Sequence, residues 1–98
     1  MLKHNCYLFF ETLSTRLKLD IILLLNEGPL PVNDISNKLN EERSKVSHAL
    51  KSLLIYGFVV AEKKGREHIY SLNKDTIIPL LNLVEKHVKT HCKICCKK

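Results

Sequence analysis

Ninety-eight residues, 45% of them hydrophobic and 27% charged, make about one folded domain and exclude a multi-domain enzyme. The formal charge of +6 is gathered in two places: residues 43–66 carry Arg43, Lys45, Lys51, Lys63, Lys64 and Arg66 against Glu62, a net of +5, while residues 86–98 carry five lysines and no acid, which leaves −4 for the rest. Two basic segments on an acidic body point to a polyanionic partner, and a chain this short buries only roughly 60–65% of its unfolded surface, which favours association with a second copy.

In chain order, Leu2, Cys6, Phe9, Phe10 and Leu13 recur at helical spacing and predict a first amphipathic helix, with Cys6 as a small core residue on its stripe. Ser14 or Thr15 is placed to cap a second helix. Its apolar positions Leu17, Leu19, Ile21, Ile22, Leu24 and Leu25 run nearly all round, as in a buried central helix, and Gly28-Pro29 stops it. Pro31 opens a third, short helix from about Val32 to Leu39, with Val32, Ile35, Ser36 and Leu39 on one face, and Asn40 ends it in the left-handed conformation.

A fourth helix is expected over residues 42–56, terminated by Gly57, its acidic start Glu41-Glu42 suiting the positive end of the helix dipole. Residues 58–61 and 68–72 are rich in strand formers and flank Lys63-Lys64-Gly65-Arg66, which predicts a β-hairpin with three cations at its tip. Ile77, Leu80, Leu81, Val84 and Val88 form the stripe of a fifth helix, whose start Pro79 leaves open.

Two helices joined by a tight turn, the second followed at once by a basic hairpin, describe a winged helix-turn-helix: mostly α, with a small β-hairpin wing, in the order four helices, hairpin, helix. Within the fourth helix Val46, Ala49, Leu50, Leu53 and Leu54 form the side that packs on the core. Opposite them stand Ser44, Ser47, His48 and Lys51, flanked by Arg43 and Lys45. Such a short, polar, cationic face can approach base edges and phosphates in a major groove. Lys63, Lys64 and Arg66 are expected against phosphates beside that groove or inside the minor groove, so affinity should fall steeply with salt. Residues 1–91 are read as one DNA-binding and dimerisation domain and residues 92–98 as a basic, cysteine-rich tail.

The run from Phe9 to Leu72 resembles the ArsR/SmtB transcriptional repressors. The resemblance is carried by Lys18-Leu19-Asp20-Ile21-Ile22, Asp34-Ile35-Ser36-Asn37-Lys38-Leu39, Ser44-Lys45-Val46-Ser47-His48-Ala49-Leu50, Leu53-Leu54-Ile55-Tyr56-Gly57-Phe58-Val59 and Ile69-Tyr70-Ser71-Leu72. It implies a homodimer built from the first and last helices that leaves operator DNA when an inducer binds. A twofold dimer would favour an imperfect palindrome in double-stranded DNA. The chain departs from the family at Ser47-His48-Ala49-Leu50, where Ser-Arg-His-Leu or Ser-Gln-His-Leu is common. Val32, Asn33 and Asp34 stand where many arsenic sensors carry a cysteine pair, and Asp75-Thr76-Ile77 lacks the histidine of the family's other sensor site.

His91-Cys92-Lys93-Ile94-Cys95-Cys96 is the one dense cluster of soft ligands. Were the last helix to continue, Cys92, Cys95 and Cys96 would share a side, with His87 and His91 a turn upstream. Three thiolates suit arsenite, and His91 would complete a Cys3His set for Zn(II). Three readings stand for this tail: metal or metalloid sensing, a thiol redox switch, and an inert basic tail. No cofactor is needed for the fold. His68 is most simply a surface residue.

No nucleophile, base and orienting group recur at a recognisable spacing, so an enzyme is not expected. The rival class is a winged-helix protein-interaction module that does not read DNA. The longest apolar stretch, around residues 21–25, is far below the ~18–20 residues that span a bilayer. The first residues lack an export signal, so a cytoplasmic protein without membrane contact is expected.

Overall fold

The computed structural model describes residues 4–91, with side chains from residue 6 onward. The expectations for Leu2 and for Cys92, Cys95 and Cys96 fall outside the described residues. The elements are α1 (His4–Ser14), α2 (Arg16–Leu25), β1 (Leu30–Pro31), α3 (Val32–Leu39), α4 (Arg43–Ile55), β2 (Val59–Lys64), β3 (Glu67–Leu72) and α5 (Ile77–His91). This is the expected winged helix-turn-helix with one addition, β1.

The core forms where three helices turn their apolar sides toward the root of the hairpin. Ile21, Ile22 and Leu25 of α2 meet Ile35 of α3, Val46, Ala49, Leu50 and Leu53 of α4, and Phe58, Val59, Leu72 and Ile77. Fully burying each large aliphatic or aromatic side chain contributes roughly 1.5–3 kcal/mol. Leu54, expected on the core side of α4, is 37% exposed. The i, i+3 pair Leu50 and Leu53 points into the core, and Leu54 lies about 40° beyond Leu50 and about 100° from Leu53, at the edge of the buried arc.

The contact stripe of α1 is narrower than its sequence pattern. Phe9 and Leu13 pack on the core, Thr12 is buried, and Cys6 is half-buried. The buried Thr12 hydroxyl donates to the Leu8 carbonyl at 2.8 Å, so it is satisfied within its own helix. Phe10 is 58% exposed instead of buried, because the i, i+3, i+4 row Phe9-Thr12-Leu13 faces inward and turns Phe10 away. Thr15 takes the extended N-cap position of α2, but its hydroxyl donates backward to the Glu11 carbonyl at 3.3 Å and makes no cap bond.

β1 pairs antiparallel with β3, Leu30 opposite Tyr70 and Pro31 opposite Ile69, giving a sheet of order β1-β3-β2. Pro31 is tolerated there because β1 is an edge strand. The turn between α3 and α4 depends on Asn40, which is left-handed at φ 55 and ψ 48. Ser36 ties that turn from the other side: its hydroxyl donates to the Glu41 carbonyl, and the Glu41 N–H donates to the Ser36 carbonyl at 3.0 Å.

The hairpin closes more tightly than expected. Lys63 lies opposite His68 and Lys64 opposite Glu67 within the ladder, so only Gly65 and Arg66 form the turn. Gly65 has φ 64, the positive value required at the first central position of a type II′ hairpin turn. Lys63 and Lys64 are thus strand residues, and Arg66 is the cation at the tip.

Asn73 joins the wing to the last helix. Its side-chain amide donates to the Gly57 carbonyl at 3.0 Å, while its side-chain oxygen accepts from the N–H groups of Asp75 and Thr76 at 2.9 and 3.3 Å. α5 therefore starts at Ile77, with Pro79 inside its first turn, where a missing N–H is harmless. Ile77 is the buried residue of α5, whereas Leu83 and Val84 are 65% and 49% exposed.

Candidate nucleic-acid interface

The polar face of α4 points outward. Arg43, Ser44, Lys45, Ser47, His48 and Lys51 are all exposed, while Val46, Ala49, Leu50 and Leu53 are buried on the opposite side. Arg43, Ser44, Ser47, His48 and Lys51 line one shallow, open depression along the helix. One flanking cation and one residue of the face are partly engaged. Lys45 Nζ lies 4.0 Å from Glu41 Oε1, and the Ser44 hydroxyl donates to Glu42 Oε1 at 3.5 Å, a long contact. Ser47, His48 and Lys51 carry no such partner among the contacts of the described residues.

The wing stands beside this face. A notch of about 250 Å³ opens between the start of α3, the start of α4 and the wing. Arg43 and Ser47 line it from α4, Asn33 from α3, and Arg66, Glu67 and His68 from the wing. Arg43, Ser47 and Arg66, predicted from different stretches of sequence, thus meet at one place. Lys63 and Lys64 are exposed in the ladder, with Lys64 directly opposite Glu67.

Sequence reasoning passed over Asn33 and Glu67 and treated His68 as an ordinary surface residue. For His68 a signal existed, since directly opposed strand residues share a face and register places His68 beside Lys63. For Asn33 there was none, because its place in the notch depends on β1 drawing α3 toward β3.

At the far end of α5 the rings of His87 and His91 lie 4.7 Å apart, both exposed. The other predicted ligands, Cys92, Cys95 and Cys96, follow beyond the described residues. Among the described residues no three His, Cys, Asp or Glu side chains gather as a metal site, and no helix is long and apolar enough to cross a membrane. A second feature of α5 is a groove of about 580 Å³ against α2, lined by Leu23, Leu81, Val84 and Val88. Leu23, absent from the apolar pattern read for α2, is 48% exposed on its rim.

The comparisons agree with this geometry. A family model described as sugar-specific transcriptional regulator TrmB matches residues 21–74, the stretch from α2 through the wing. That match stops short of α1 and α5, so it speaks to the helix-turn-helix and wing alone. The HTH-type transcriptional regulator NmtR of Mycobacterium tuberculosis is 39% identical over 72 residues, 74% of this chain. The chain spans 60% of that relative's length. The arsenical resistance operon repressor of Staphylococcus aureus is 35% identical over 77 residues, covering 76% of this chain and 74% of the relative.

Among solved structures, apo-NmtR superposes with a TM-score of 0.73 at 32% identity over 92% of this chain and 79% of that one. The homodimeric winged helix-turn-helix DNA-binding domain Mb0332 of Mycobacterium bovis gives 0.81 at 23% identity over 89% and 81%, a likeness of fold. With an outward polar face on α4, an adjoining basic wing and these relatives, the chain belongs to the ArsR/SmtB family of winged helix-turn-helix DNA-binding transcriptional regulators.

Proposed function

We propose that the protein is a homodimeric repressor that reads an imperfect palindrome in double-stranded DNA and releases it when a thiophilic effector engages its C-terminal cysteines. The observation that carries the DNA reading is the uninterrupted exposure of Ser47, His48 and Lys51 on α4, with Arg43 leading from that face into the notch beside the wing. Ser47 and His48 are short enough to address base edges, and Arg43, Ser44, Lys45 and Lys51 address the phosphates around them. Lys63, Lys64 and Arg66 hold the neighbouring backbone.

Dimerisation through α1 and α5 is supported by apolar surface that one copy leaves uncovered: Tyr7 and Phe10 on α1 are 59% and 58% exposed, and Leu83 and Val84 on α5 are exposed as well. The homodimeric state of Mb0332 and the repressor role of the staphylococcal relative point the same way.

For the effector, the donor chemistry fits arsenite or Zn(II). Cys92, Cys95 and Cys96 supply three thiolates and His91 an imidazole, with the His87 ring already beside that of His91. Bound there, such an ion would cross-link the end of α5 to the tail and so bias the helix expected to join the two subunits. Oxidation of the same thiols to a disulfide is the second route.

Gel shift against random duplex DNA at low and moderate salt tests the first half: retention at low salt that fades as salt rises is expected, and absence of binding at both would favour a protein-interaction module. Titrating arsenite, Zn(II) and an oxidant into the protein–DNA complex tests the second. Release should be lost when Cys92, Cys95 and Cys96 are replaced by Ser; release that persists in that variant rules out the tail as sensor.

A further inference from the structure

The geometry points to the notch between α3, α4 and the wing as the seat of a single DNA backbone phosphate, gripped from opposite sides by Arg43 and Arg66. This inference rests on the DNA reading above and adds to it a shared ligand for two residues that the sequence places 23 positions apart.

Arg43 enters from the first position of α4, and Arg66 from the turn that closes the hairpin. Both line the same cavity of about 250 Å³. A water's share of liquid volume is about 30 Å³, so the notch has room for a tetrahedral oxyanion together with ordered water. Asn33 and His68 line the same notch and carry polar side chains suited to the remaining phosphate oxygens. Arg presents a planar fork of donors that matches phosphate oxygens in pairs, which makes two converging arginines a better anion seat than two lysines.

Neither arginine is held by a carboxylate within 4 Å among the ion pairs of the described residues, in contrast to Arg16, Lys45 and Lys89. Glu67 is the acid lining the notch, and it limits the net positive charge there. A site of this kind serves the backbone and not the bases, since it opens at the Ser47 edge of the α4 face, away from Lys51, and its two arginines bind a group that every nucleotide carries.

The test uses the full chain, a 30-base-pair random duplex and the slope of log affinity against log salt. One phosphate contact on B-DNA contributes about 0.9 to that slope. Arg43→Ala and Arg66→Ala should each weaken binding by about tenfold but flatten the slope by clearly less than about 0.9, since the remaining arginine still neutralises the phosphate. The double variant should flatten it by about 0.9, the share of one phosphate, not by twice that amount. Arg43→Lys and Arg66→Lys should keep the slope while losing affinity, and thermal denaturation confirms that every variant is folded.

A slope loss of about 0.9 in each single variant that adds to about 1.8 in the double variant, or a double variant with an unchanged slope, overturns the shared seat. Lys51→Ala separates this failure from failure of the underlying reading. If Lys51→Ala weakens binding while the arginine losses add, only the shared phosphate is wrong; if the unaltered chain shows no salt-dependent binding, both are wrong.

Discussion

Phe9 of α1 stacks on Phe58 at the entry to the wing, ring centroids 4.8 Å apart and planes inclined by 22°. Phe58 is fully buried, and Phe9 is the partly buried side chain that covers it. The contact ties the first helix directly to the root of the hairpin, so the expected dimer helix and the expected DNA-contacting wing share one piece of core. Phe58→Ala should cost about 3–5 kcal/mol of unfolding free energy in a urea titration, and Phe9→Ala clearly less. Equal losses at the two positions would mean that the burial of Phe58 does not come mainly from the α2–α4 core.

Asn73 is the second joint. One side chain bonds the end of α4, through Gly57, and the start of α5, through the Asp75 and Thr76 amides. Asn73→Ala should lower stability by about 1–2 kcal/mol, as loss of a helix cap does. For a domain of this size each kcal/mol corresponds to roughly 4–8 °C in Tm. Asn73→Asp keeps the acceptor for the two amides and loses the donor to Gly57, so its Tm should fall between those of the parent and the Ala variant. An Asp variant as unstable as Ala would assign the weight to the Gly57 bond.

What could be read in the sequence was whatever a single element declares by itself. The bounds of α3 and α4 follow from apolar spacing together with Asn40 and Gly57, whose backbones are indeed left-handed at φ 55 and φ 79. β1 escaped because two residues carry no alternation and Pro31 argues for a helix start, a position it also occupies as the α3 N-cap. Lys63 and Lys64 read as loop residues in the sequence because consecutive charges resemble a loop. Gly65 needs only one neighbour to close the hairpin, and the lysines therefore stay in the ladder. Phe10 and Leu54 sit at the edges of their apolar stripes, where periodicity cannot say how wide a face the neighbouring helices cover. The notch has no local signature at all, since Asn33, Arg43 and Arg66 come from three elements.

On α4 the division of labour can be measured. Lys51 is exposed one turn beyond Ser47 and His48, and a lysine there acts through charge. Lys51→Ala should weaken binding to operator and random duplexes by a similar factor and flatten the salt slope by about 0.9. Ser47→Ala and His48→Ala should leave the slope nearly unchanged and alter which sequences are retained in a selection from random DNA. A changed slope with unchanged sequence preference for His48→Ala would make it a backbone contact.

The wing carries its own brake. Lys64 lies directly opposite Glu67, and opposite charges at such positions attract across the ladder. Glu67 also lines the notch, where a carboxylate repels incoming phosphate. Glu67→Gln should therefore tighten binding to every duplex at low salt by several-fold, and the gain should shrink as salt rises. Misfolding cannot imitate a gain in affinity. Lys64→Ala should weaken binding less than Arg66→Ala, because Arg66 lines the notch itself and Lys64 does not. An equal or weaker affinity for Glu67→Gln would place Glu67 away from the backbone.

α5 is long, amphipathic and poorly covered by its own chain: of its fifteen residues Ile77 is buried, and Leu83 and Val84 are 65% and 49% exposed. A stripe of this kind is stable in water only when another surface covers it. Val84→Asp, made at a position already half open in one copy, should leave the fold intact by circular dichroism. Sedimentation should nevertheless shift it from the mass of a dimer to that of a monomer. Affinity for a two-half-site operator should then drop far more than affinity for a single half-site, because the two recognition helices would no longer be held one DNA turn apart. If Val84→Asp and Leu83→Asp both remain dimeric, α5 is not the joining helix, and Tyr7 and Phe10 of α1 become the positions at which the same substitution should split the pair.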